Sequence, residues 1–170
     1  LMGRTLKLCD AAITTTERLA EELGHYVPEV FINRNTASEE MCALSKEALK
    51  NKTRKDDHVG IGYFSGSLTH NDDFELVLPA LTKVMEKYPQ VQLHVVGELD
   101  LPEALQQYKA RVVSHPFVDW KKLPSLIAEV DINLAPLEQS IFNEAKSENK
   151  WVEAALVKVP TVASYVGAFQ

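Results

Sequence analysis

The chain has 170 residues, with 18 Lys and Arg against 24 Asp and Glu and a formal charge of −6 at neutral pH. That balance argues against a nucleic-acid partner, whose footprint is a basic face, and 45% hydrophobic with 25% charged residues is ordinary globular composition. No run of about 18 apolar residues is present, so no transmembrane segment is expected, and nothing reads as a signal peptide.

The length suits one domain plus part of another. The sequence opens at Leu1 in mid-pattern and stops at Gln170 just after a predicted strand, so it reads as a piece of a longer protein. Residues 1–9 are expected to end a helix, and the β-branched run at 11–15 to form a strand. Thr16 then caps a helix over 17–23, with acids in its first turn and Gly24 as its C′ residue. A second strand is expected at 30–33 and a helix at 37–50. Residues 51–57 form a charged linker. The domain boundary is placed there, dividing the chain into 1–57 and 58–170. Cys9 and Cys42 lack CxxC spacing and read as two reduced thiols.

From His58 the alternation is regular. Strands are predicted at 59–65, 91–97, 111–114, 131–135 and 161–164, with helices at 73–87, 102–108, 123–129 and 147–158 between them. Several strands are near-continuous apolar runs, as in a parallel sheet covered on both faces. The fold class is therefore α/β: a doubly wound, Rossmann-like parallel sheet with a ligand crevice at the strand C-terminal ends.

Three stretches carry chemistry. Gly60-Ile-Gly62-Tyr-Phe-Ser-Gly66-Ser67-Leu-Thr-His70 follows the first of these strands, where a glycine turn brings backbone N–H groups to a phosphate. Its spacing is not GxGxxG, and no acid closes the second strand where NAD ribose needs one. His70 either donates to a phosphate or sugar oxygen or assists the following helix cap. Asp72 and Asp73 read as cap and dipole residues in preference to metal ligands. In Ser114-His115-Pro116-Phe117-Val118-Asp119-Trp120, Phe117 and Val118 either line a base pocket or pack as ordinary loop. His25, His58 and His94 read as structural.

The third stretch, 142–164, predicts a loop, a helix and a strand. Ser147 is placed as the helix N-cap, and Pro160 ends the helix after Lys158. Trp151, Val152, Ala155, Leu156 and Val159 form its packed side. Asn143, Lys146, Lys150 and Glu153 form the other side, with the helical phase continued back to Asn143. Lysines at a helix N-terminus suit a diphosphate, and a glutamate further along suits sugar hydroxyls. The alternative is a solvated face with a weak Lys150–Glu153 i,i+3 pair.

Lys146-Ser147-x-x-Lys150-x-x-Glu153-Ala-Ala-Leu-x-x-x-Pro160-x-Val-Ala-Ser resembles the nucleotide-sugar signature of GT-B glycosyltransferases, of the retaining family 4 or group 1 type. The resemblance implies that 58–170 is a C-terminal, donor-binding domain and that 1–57 is the tail of an acceptor-side domain. It implies Glu153 on the donor ribose, and Lys146, Lys150 and the Gly66–Ser67 backbone on the diphosphate. Phe117 and Val118 would lie near the base, with His70, Asn143 and Ser147 at the site. The family's earlier glutamate falls at Ala145, and no Arg or Lys follows the glycine loop, so no residue is assigned as catalytic. The implied enzyme is a hexosyltransferase of polysaccharide biosynthesis. It would be cytoplasmic, peripheral to the membrane in the full-length protein, use an NDP-sugar as substrate with no cofactor or metal, and meet a glycan or lipid-linked acceptor through an absent domain. The rival reading is a non-catalytic nucleotide-sugar-binding or interaction module of the same fold.

Overall fold

A computed structural model describes residues 2–53, 57–65 and 71–170, which form two compact units. Unit 1 comprises Leu1–Thr36, Gln139–Asn149 and Tyr165–Gln170; unit 2 comprises Ala37–Glu138 and Lys150–Ser164. The first segment of unit 1 ends at Thr36, and the unit is completed by two later returns of the chain. No helix among the described residues is long and apolar enough to cross a membrane.

Unit 1 begins with α1 (Met2–Leu6), then β1 (Ala11–Thr14), α2 (Glu17–Gly24) and β2 (Glu29–Ile32). The two strands pair in parallel, Ala11 opposite Glu29 through Thr14 opposite Ile32. Thr16 caps α2 as expected, its hydroxyl accepting from the Leu19 N–H at 3.3 Å. Gly24 does not act as a left-handed C′ residue: it closes α2 itself, and the cap is His25 in right-handed conformation. The later segments add α8 (Ile141–Glu144), with Ser140 as its N-cap.

Unit 2 opens on α3 (Glu39–Asn51), capped by Ser38, and holds a parallel sheet of five strands. These are β3 (Val59–Phe64), β4 (Val91–Val96), β5 (Val112–His115), β6 (Ile132–Ala135) and β7 (Thr161–Ala163), in the order β5-β4-β3-β6-β7. The direction of winding reverses between β3 and β6, so the switch point lies there, and a ligand crevice opens at the carboxyl ends of those two strands. Apolar alternation along β3 fills both faces. Ile61 and Tyr63 join Leu93, Val95, Phe74 and Met85 on one face, while Phe64 joins Val96, Ile127, Val130 and Val157 on the other.

The helix expected over 73–87 is two helices, α4 (Asn71–Glu75) and α5 (Leu78–Lys87). Pro79 explains the break, because proline fits the first turn of a helix but not its interior. After α5, the Arg111 guanidinium donates to the carbonyls of Met85, Tyr88, Pro89 and Val91, satisfying groups the helix end leaves open. Next come α6 (Glu103–Gln106), α7 (Leu123–Ala128) and α9 (Asn149–Leu156).

The last helix is shorter than expected and stops differently. The Lys158 N–H reaches the Ala155 carbonyl at 3.0 Å, and the Val159 N–H reaches the Ala154 carbonyl at 2.9 Å. Lys158 has φ of 58°, the left-handed residue of a Schellman turn. Pro160 follows a helix already closed. Ser147 is no N-cap for α9; its hydroxyl accepts from the Asn35 amide at 2.8 Å.

Candidate functional site

The sheet builds a rim in unit 2 at the carboxyl end of β3. The Ser65 N–H donates to the Val96 carbonyl at 2.8 Å, and the Gly97 N–H to the His115 carbonyl at 3.0 Å. Gly97 is left-handed at φ 97°, and a Cβ there would lie 1.9 Å from the Ser65 carbonyl oxygen. Only glycine lets the two strand ends approach this closely. Gly66, Ser67 and His70 lie outside the described residues.

Beneath the rim sits a buried polar group that the sequence reading missed. Tyr63 is fully buried against Phe74, ring centroids 4.8 Å apart. Burial first, and the charge of Asp73 second, hold the Tyr63 hydroxyl well above the usual phenol range, and a hydrogen bond with Ser65 works against them. Asp73 is itself buried, and its carboxylate accepts the Glu138 N–H at 2.8 Å. It thus ties α4 to the segment after β6, while lying with Asp72 in the first turn of α4, where the dipole reading expects acidic residues. An acidic pair opening a helix gives no hint in sequence of which member turns inward.

α9 reaches this rim because Asn133 holds it. The buried Asn133 side chain donates to the Lys150 carbonyl at 3.2 Å and to the Thr161 hydroxyl at 3.0 Å. The helix is turned partly away from the expected way. Lys150 and Glu153 are half-buried and Ala154 and Val157 buried, whereas Trp151 is 52% exposed and Ala155 is also exposed; of the expected packed side, Val159 is buried and Val152 and Leu156 are half-buried. Lys150 and Glu153 therefore do not lie on a fully solvated face. The Lys150 ammonium is buried and stands 4.9 Å over the Tyr63 ring, a cation–π contact.

Glu153 is half-buried and lines a cavity of about 10 Å³ with Met41, Ser45, Trp120, Leu123, Pro124 and Ile127. Burial pushes its carboxyl above the ordinary value, and Lys150 pulls it partly back. Phe117 is 70% exposed in the loop after β5. Val118 packs against the apolar cluster that holds Val157. The loop's contribution to the Glu153 cavity is Trp120.

The remaining expected site residues belong to unit 1. Asn143 is buried within α8, separate from α9, so the helical phase does not continue back to it. The Lys146 ammonium stands 4.9 Å over the Phe142 ring, and Ser147 is held by Asn35. The structure thus brings Lys150 and Glu153 together on one helix face in unit 2, and groups Asn143, Lys146 and Ser147 in unit 1.

Residues 60–170, well over half of the chain, match the family described as "Glycosyl transferases group 1". The chain belongs to that family. No curated protein sequence matches this glycosyl transferase chain. Among solved structures it is similar to a mutant of S. aureus TarM in complex with fondaparinux, alpha-GlcNAc-glycerol and UDP. That match has 13% identity and TM-score 0.64, covering 96% of this chain and 31% of that one. It is also similar to WaaG, a glycosyltransferase involved in lipopolysaccharide biosynthesis, at 14% identity and TM-score 0.64, covering 92% and 45%. A third match is the pneumococcal O-GlcNAc transferase GtfA in complex with UDP and GlcNAc, at 14% identity and TM-score 0.63, covering 97% and 32%. The fold is therefore the Rossmann-like α/β architecture of GT-B glycosyltransferases, and the chain spans less than half the length of each of these structures.

Proposed function

We propose that unit 2 of this group 1 glycosyl transferase binds the nucleoside diphosphate of a sugar donor at the crevice beside the switch point. In this reading a longer chain transfers the sugar, a hexose, with retention and without a metal, to a glycan or lipid-linked acceptor. The observation that carries it is the pairing of Lys150 and Glu153 on the inward side of α9, the helix leading from the β6 side of the switch point to β7. The UDP named in the TarM and GtfA complexes supports a nucleoside diphosphate as the ligand class.

The Glu153 carboxylate accepts hydrogen bonds from the ribose hydroxyls. The Lys150 ammonium, lifted from the Tyr63 ring, neutralises the diphosphate, a charge-stabilising role that preorganised cations perform on departing anions. A charge-assisted hydrogen bond from Lys150 to the diphosphate is worth about 1.5–3 kcal/mol. The Gly66–Ser67 backbone and His70 donate to phosphate oxygens, and Phe117 and Val118 lie against the base. Asn143, Lys146 and Ser147 take no part in this reading.

Calorimetry of the 170-residue chain with UDP, dTDP and NAD tests the proposal. UDP or dTDP is expected to bind more tightly than NAD and to keep binding in EDTA. A ligand at 100 times its dissociation constant adds about 2.7 kcal/mol of stability, a visible melting shift. Glu153→Ala is expected to weaken UDP and uridine alike by roughly 1.5–3 kcal/mol, and Lys150→Ala to weaken UDP much more than uridine. Binding of NAD alone, or parent-like affinity in Glu153→Ala, overturns the donor-site reading. Ala145, at the place of the family's earlier glutamate, favours a second reading: a module that binds the donor without transferring it. Transfer assays on a chain carrying both halves separate the two.

A further inference from the structure

The Glu153 cavity contains a second polar group with no assigned purpose. Ser45, in the middle of α3, is 2% exposed, and its hydroxyl is buried with no hydrogen-bond partner among the described residues. An orphan hydroxyl in that position costs about 1–3 kcal/mol unless something satisfies it. Ser45 and Glu153 both line the same cavity of about 10 Å³, which otherwise presents Met41, Leu123, Pro124, Ile127 and Trp120. A space of roughly 10–15 Å³ admits one water when at least two polar partners flank it. A serine hydroxyl and a carboxylate supply those partners.

We propose that Ser45 is a positioning residue for Glu153: its hydroxyl donates to a single enclosed water, and that water donates to the Glu153 carboxylate, holding it ionised and aimed for the ribose. The inference rests on the reading of Glu153 as the ribose ligand. The water accepts one proton and donates another, so both buried groups are satisfied without moving α3 or α9. Lys150, on Glu153's own helix, is the charged group among the described residues acting on the carboxyl. From α3 the cavity receives Met41 and Ser45, from the turn before α7 Trp120, and from α7 Leu123, Pro124 and Ile127, none of them ionisable. The neighbouring charges on those elements, Glu40 and Lys121, pair with each other at 2.6 Å. Ser45 is thus the polar side chain left to support the ionised state from the α3 side.

Two measurements on the 170-residue chain test this. The first follows the Glu153 side-chain carboxyl carbon by NMR through a pH titration of the ligand-free protein, in the parent, Ser45→Ala and Ser45→Thr. Removing a donor to the charged form should raise the Glu153 midpoint, by roughly half a pH unit or more, and Ser45→Thr, which keeps the hydroxyl, should restore it. The second measures UDP affinity from pH 5 to pH 8, where Ser45→Ala should shift the acid limb of the profile upward by the same amount. An unchanged midpoint in Ser45→Ala, or equal shifts in the Ala and Thr variants, overturns the positioning role. If the midpoint moves with Ser45 while Glu153→Ala leaves UDP affinity unchanged, the ribose reading fails and the Ser45–Glu153 link stands.

Discussion

The two units are held together by different means. In unit 2 every residue of β3 after Val59 is buried, and apolar clusters cover both faces of the sheet. In unit 1, β1 and β2 are largely exposed, Ile13 and Phe31 lie 73% and 56% open, and α2 has no buried residue. Polar contacts join its segments 1–36 and 139–149. The Thr16 hydroxyl donates to the Ala145 carbonyl at 2.9 Å, Arg18 pairs with Glu144 at 3.5 Å, and the Asn35 amide donates to Ser147. Hydrophobic area holds a sheet whatever the detail of each pair, whereas a polar join depends on a few atoms.

That contrast can be broken by substitution. Leu93→Ala removes a fully buried side chain from the sheet core and should cost roughly 2–5 kcal/mol in denaturant unfolding. Phe31→Ala, though it deletes more atoms, should stay within about 0.5 kcal/mol because the ring is already half in water. A comparable loss in both would mean that unit 1 has an apolar core after all. Next in size, Thr16→Ala removes both the α2 cap and the donor to Ala145, and should cost about 0.5–2 kcal/mol. The loss should appear as faster amide exchange in 1–36 and 139–149 while β3 and β4 keep their protection. Equal loosening of the sheet would refute the division.

The smallest effect sharpens unit 2. Glu153 has a carboxyl raised by burial, so folding favours its protonated form. The stability it gives is fully present below the ordinary carboxylate value and is lost as pH rises through the folded value. Glu153→Gln should therefore melt at or above the parent midpoint at pH 7, and the difference should shrink as pH falls toward 4. A variant less stable than the parent at pH 7 would show that the ionised carboxylate is a net stabiliser.

Much of unit 2 was readable because its strands are continuous apolar runs, and only a sheet covered on both faces uses such runs. All five were expected within a residue or so of where they lie. The split between α4 and α5 was readable too, in Pro79, but helical periodicity on both sides hid it. The orientation of α9 was not legible. Pattern assigns polar residues to water, and it has no way to register an aromatic ring under Lys150 or an almost closed cavity beside Glu153. Lysine buries its stem and, here, its head as well. The same limit concealed Asp73 and Ser45, whose burial depends on strands far away in sequence. The assumption of one unbroken helix placed Asn143 on a face it does not share, because α8 and α9 are separate helices.

The left-handed turn at Lys158 has a consequence for which lengths this fold tolerates. It aims the chain so that the Pro160 carbonyl accepts the Asn133 N–H at 2.9 Å, and Thr161 then falls opposite Asn133. β7 is too short, at 3 residues, to find its own pairing by area. Its alignment is inherited from the turn, and adding or deleting one residue in 157–160 would exchange which side chains point to each face of the sheet. Surface loops elsewhere can drift in length at little cost, since closure entropy grows slowly. This link is a fixed-length spacer, and among natural variants of the chain insertions and deletions should be missing from it.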